Sequence, residues 1–143
     1  MKGLLTLIKL QKHKLDELRR DLARLDTQRA NLEKTSQRLR EELERESALA
    51  IEDFFLTRNF GQFAMKISQR RAGIHDEIRQ IEEWMDLLRD QIADAFGEQK
   101  RYEIAYENRK RREREELARR EQMELDDIGM RMHEEKRKIP PAH

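Results

Sequence analysis

The chain has 143 residues, and 43% of them are Asp, Glu, Lys or Arg, against about 25% in an ordinary globular domain. Ala, Leu, Glu, Lys and Arg together fill 79 positions and the net charge is only +1, a composition that fits a coiled coil or long helix and excludes a compact enzyme core. Five Gly, two Pro and no Cys exclude a turn-rich sheet protein, a disulfide framework, a thiolate metal site and a cysteine nucleophile.

In residues 1–10, Leu4, Leu5, Leu7 and Ile8 form an apolar start. Lys9, Lys12 and Lys14 interrupt it before it reaches the length of a signal peptide or a membrane span, so neither is expected. The same stretch reads as a basic amphipathic helix for a membrane surface, but a heptad seam accounts for its leucines. That seam runs Leu4, Ile8, Gln11, Leu15, Leu18, Leu22, Leu25, Arg29, Leu32, Ser36, Leu39, Leu43, Glu46, Ala50, with ten of fourteen positions apolar. Spacing that alternates three and four keeps one narrow stripe facing a partner helix.

Residues 52–63 crowd Phe54, Phe55, Phe60 and Phe63 around Thr57-Arg58-Asn59, and Asn59 with Gln62 forms a capping-box pattern. A second seam follows: Ala64, Ile67, Arg71, Ile74, Ile78, Ile81, Met85, Leu88, Ile92, Ala95, Gln99, Tyr102, Tyr106, with eleven of thirteen positions apolar. Two matching seams joined by a short link predict an all-α fold, a long antiparallel two-helix coiled-coil hairpin with a longer C-terminal helix. The expected boundaries in the single unit 1–143 are helix 1 over about 3–55, a hinge at about 56–60, helix 2 over about 61–137 and a short tail at 138–143. Folding about the hinge leaves the stretch from about Glu115 without a partner in the chain.

Residues 107–122 hold twelve charged groups in sixteen, too many for a core. Pairs four apart, such as Arg111 with Glu115 and Glu116 with Arg120, each contribute about 0.2 to 0.5 kcal/mol and carry the helix through solvent. Leu125, Ile128 and Met132 then restore a sparse stripe. Lys136-Arg137-Lys138 suit a helix C-terminus before Pro140 and Pro141. Charge is uneven: residues 1–24 and 100–120 each carry net +4, residues 41–58 carry −4 and residues 59–99 carry −3. The open end of the hairpin is therefore basic and the hinge half acidic, which bears on the partner surfaces each can approach.

His13, His75, His133 and His143 are scattered, with no metal-ligand spacing, and there is neither a phosphate loop nor a nucleophile triad. No catalytic residue, metal or cofactor is expected. A basic-zipper reading of Arg109-Lys110-Arg111-Arg112 fails because the strong heptads precede the basic run and Glu113, Glu115 and Glu116 would repel phosphates, so no nucleic acid is expected. Trp84, Leu87 and Phe96 fall at heptad positions g, c and e, outside the seam, where they either widen it or meet a partner.

The length, the aromatic hinge, the charged second helix and the pentapeptide Asn59-Phe60-Gly61-Gln62-Phe63 resemble the FliJ/YscO-type stalk proteins of type III secretion, most closely the flagellar ones. The resemblance implies a non-enzymatic stalk of the flagellar export apparatus that enters the hexameric export ATPase, promotes its assembly and turnover, and links it to the export gate and to export chaperones. It implies a monomer in the cytoplasm, held at the inner membrane through partners only. On this chain the ATPase would meet the basic open end, Lys9, Lys12, Arg19, Arg109 and Arg112 among it. The gate would meet Phe63, Ile67, Arg70 and Ile74; the first two match the family pattern, while Arg70 and Ile74 stand where it has a small residue and a histidine. Ile67 and Ile74 are also seam positions. The chaperones would meet Trp84 and Phe96. The alternative is a generic coiled-coil scaffold or dimeric adaptor with no ATPase connection.

Overall fold

A computed structural model describes residues 2–52 and 54–138; residues 1, 53 and 139–143, and the side chains of 54–57, lie outside the description. The described residues are wholly helical, in α1 (Lys2–Glu52, 51 residues) and α2 (Phe54–Lys138, 85 residues), packed as an all-α helical hairpin. The chain divides into two compact units, Gln11–Gly97 and Met1–Leu10 with Glu98–His143.

All fourteen seam positions of α1 and all thirteen of α2 are buried or half-buried, and every buried residue among those described belongs to one of these seams. In the unit Gln11–Gly97, Leu39, Ile67, Ile74 and Ile78 form a cluster with Leu32, Leu43 and Phe63 packed against it. Met85, 2% exposed, is the largest fully buried side chain. Each such aliphatic group contributes about 1.5 to 3 kcal/mol on leaving water. Antiparallel order follows from the pairs: positions rise along α2 as they fall along α1, from Ser36 with Arg71 to Arg29 with Glu82. In the other unit, Leu4 and Ile8 of α1 and Gln99, Tyr102 and Tyr106 of α2 are the seam positions withdrawn from solvent.

The hinge differs from expectation. Residues 56–60 are helical within α2; residue 53, between the two helices, and the expected tail at 139–143 lie outside the described residues. Asn59 is in a helix interior and caps nothing. The physical reason is that Thr57-Arg58-Asn59 contains neither Gly nor Pro to stop a helix, and Asn in a helix interior costs at most about 0.7 kcal/mol relative to Ala. From Arg109 to Lys138 every residue is exposed except the half-buried Glu116, whereas the sequence placed the start of the uncovered helix near Glu115.

Seam and uncovered helix should respond differently to truncation. Ile74→Ala is expected to cost about 2 to 5 kcal/mol and Met130→Ala less than about 0.5 kcal/mol, read from the denaturant midpoints of the two variants against the parent.

Candidate functional site

A two-helix seam buries one stripe and encloses no cleft, so its functional side chains lie on its flanks or on uncovered helix. Among the described residues no cluster of His, Cys, Asp or Glu could hold a metal ion, and no helix is long and apolar enough to cross a membrane. His13 pairs with Glu17 one turn on, at 3.1 Å.

The gate candidates separate by burial. Ile67 and Ile74 are 5% and 7% exposed and sit inside the core cluster; Phe63 is half-buried against the same cluster, and only Arg70 is exposed. The spacing that aligns the apolar members of this set is the heptad spacing itself, so the hairpin's own packing claims them. Among the described side chains near the start of α2, Met65 is a large apolar one that is exposed, at 63%.

Polar groups interrupt the seam in the unit Gln11–Gly97. Arg71 Nε donates to Ser36 Oγ across the helices at 3.3 Å, and Arg29 reaches Asp26 at 2.7 Å and Glu82 at 4.0 Å. The Nε of Arg29 remains buried without a hydrogen-bond partner. A slip of the seam would separate Arg71 from Ser36, so this layer favours one register over its neighbours, as single polar positions do in other coiled coils.

Trp84 and Phe96, 49% and 45% exposed, do not share a surface. Twelve residues of helix turn them about 120° apart. Trp84 lines a shallow apolar groove of about 440 Å³ with Asp21, Arg24, Leu25, Leu87 and Leu88, and Phe96 is not among its walls. Leu87, 60% exposed, is the true neighbour of Trp84. The spacing of three residues between them was the signal in the sequence that joins them.

The basic candidates Lys9, Lys12, Arg19, Arg109 and Arg112 are all exposed. Lys9, Arg109 and Arg112 belong to the unit formed by Met1–Leu10 and Glu98–His143; Lys12 and Arg19 belong to the other. Around Arg109 and Arg112 the uncovered helix is laced by its own charges: Lys110 Nζ lies 5.3 Å from the Tyr106 ring centre, Arg111 is 3.9 Å from Glu115, and Glu116 holds Arg119 at 2.7 Å and Arg120 at 3.4 Å. The hydrogen bond and positive charge of Arg119, with a smaller contribution from Arg120, hold the Glu116 carboxyl below its ordinary range, and Glu116 raises Arg119 in turn. All these groups are in solvent, where each pair is worth little and the number of pairs matters.

A depressed carboxyl contributes stability above its unfolded value and loses it as pH falls through the folded value. The helicity of the full chain is therefore expected to fall slightly as pH drops through and below the carboxylate range, and less so in Glu116→Gln, read by circular dichroism.

Missed from the sequence were Leu5, Leu7 and Leu10. They are 40%, 38% and 59% exposed, so the seam that was to account for them covers only Leu4, Ile8 and Leu15.

A family model described as Flagellar FliJ protein matches residues 1–138. No curated protein and no solved structure matches the chain.

Proposed function

The chain belongs to the flagellar FliJ protein family, whose members are components of the flagellar protein-export apparatus, and from that premise we propose that it is the non-enzymatic stalk that couples the export ATPase to the export gate. The observation that carries this reading is the family match over residues 1–138 of a helical hairpin in which Arg109 to Lys138 is left without a covering helix. A helix that presents charged side chains, Arg109 and Arg112 among them, on an exposed surface suits the inside of a ring, because the charge steers entry and the side chains reach all around. Arg109 and Arg112 lie on that helix, and Lys9 lies on the α1 segment of the same unit.

In this reading the ATPase gains assembly and turnover from the stalk, and the stalk performs no chemistry. The gate contact falls at the start of α2. Arg70 and the exposed edge of Phe63 are its accessible members, and Ile67 and Ile74 act by holding that stretch of α2 against α1. Chaperones dock at the Trp84–Leu87 groove, whose exposed aromatic and aliphatic groups are the kind that dominate helical interfaces. Phe96 offers a separate contact on the other flank. The protein works as a monomer on the cytoplasmic side of the inner membrane.

Two experiments test the reading. The first is the hydrolysis rate of the export ATPase from the same organism with and without the chain: stimulation is expected, and Arg109→Glu with Arg112→Glu should lower it about tenfold, corresponding to about 1.4 kcal/mol, while circular dichroism stays unchanged. A dimeric chain with no effect on turnover refutes the stalk and favours the scaffold. The second is chaperone binding by Trp84→Ala, expected to weaken about tenfold or more, corresponding to at least about 1.4 kcal/mol, with Phe96→Ala weakening it independently. Unchanged binding in the double variant removes the groove from the reading.

A further inference from the structure

The uncovered end of α2 carries an apolar face of its own. Leu125, Ile128, Gly129 and Met132 follow the spacing i, i+3, i+4, i+7 of one side of a helix, and the three large side chains are all exposed. This face does not continue the seam. Carried on past Tyr106, the seam spacing falls on Met123 and Met130, and each of Leu125, Ile128 and Met132 stands two residues from one of these, about 200° around the helix. The face therefore points away from the side on which α1 packs, and covering it leaves the seam undisturbed. A Cβ at Gly129 would meet nothing within 4 Å, so the glycine leaves room beside Ile128 for the backbone of another helix to come close.

Charge along the face selects the occupant. Residues 121–127 carry four acidic groups and no basic one, whereas residues 131–138 carry four basic and two acidic, net +2. On the face itself, Glu121 stands one turn before Leu125 and Lys136 one turn after Met132, both exposed. A surface that is acidic at one end and basic at the other is complementary to itself when reversed. Laid antiparallel about Ile128 and Gly129, two copies set Leu125 level with Met132 of the second copy and Glu121 level with its Lys136, and two-fold symmetry makes each pair twice. A parallel pair would set Glu121 against Glu121, which like charge opposes. We propose that this face pairs with the same face of a second copy of the chain, antiparallel, as a reversible homodimer. The pairing rests on no part of the stalk reading. It makes the single chain of that reading the working form and the pair its unengaged form, because both uses draw on the same stretch of helix.

The test is sedimentation equilibrium of the full chain from about 10 μM to about 1 mM, the range in which so small a contact saturates. The mass should rise with concentration from 17.4 kDa towards twice that value. Leu125→Gln with Ile128→Gln should weaken association about tenfold or more, while Met123→Gln with Met130→Gln, on the opposite side of the helix, leaves it unchanged. Glu121→Lys and Lys136→Glu should each weaken it about fivefold, and the two together should restore it, since the swap rebuilds both pairs only in antiparallel order. A parent that stays monomeric, a mass that climbs past two chains, indifference to the Leu125 and Ile128 changes, or a charge swap that fails to restore pairing overturns the proposal. Should the apolar double variant lose helicity, Gly129→Cys in this cysteine-free chain reads the same contact in a folded helix: it should cross-link to a dimer on oxidation where Met130→Cys does not, and absence of that cross-link also overturns the proposal. Stimulation of the export ATPase on the same preparations separates the two readings. A chain that stimulates without dimerising loses only this proposal, and one that dimerises without stimulating loses only the stalk.

Discussion

Burial of one narrow stripe on each helix is the constraint from which the remaining features follow. Apolar side chains spaced alternately three and four apart meet a partner helix along a single line, and the described buried residues all lie on that line. A line has no interior. Among the described residues the groups whose titration is displaced, Glu116 and Arg119, are both solvent-accessible side chains of the uncovered helix.

The same constraint settles competing claims on individual residues. Ile67 and Ile74 fill the seam beside Leu39, so their side chains are not presented on the surface of α2. Polar seam members trade stability for specificity: Arg71 with Ser36 bridges the helices, and Arg29 leaves one nitrogen unsatisfied. Such layers weaken the pair somewhat while penalising a shifted register, the best-attested use of buried polar groups in coiled coils.

Where the seam ends, stability has another source. Residues beyond Asn108 have no covering helix, and their helix is sustained by short-range ion pairs such as Arg111 with Glu115 and Glu116 with Arg119 and Arg120. Each is weak and screened by salt, but the helix requires many small contributions and no single large one. This arrangement keeps a helix extended and fully accessible to a partner, and it suits a component of an export apparatus whose contacts are made and released.

The helical class, the antiparallel pairing and the membership of each seam were legible in the residues from Leu4 to Ala50 and Ala64 to Tyr106, because heptad spacing is a local property that one stretch of chain determines by itself. Three things were not. Residues 56–60 are helical and hold no hinge, because Thr57-Arg58-Asn59 contains neither Gly nor Pro to stop a helix. Trp84 and Phe96, both recognisable as non-seam positions, fall on opposite flanks, and the groove beside Trp84 and Leu87 exists only when α1 supplies Leu25 and Arg24 as its far wall. Leu5, Leu7 and Leu10 looked satisfied from the sequence, since a run of leucines near a seam reads as seam. Their exposure is decided by how much surface one partner helix can cover, a tertiary quantity that spacing along a single helix does not contain.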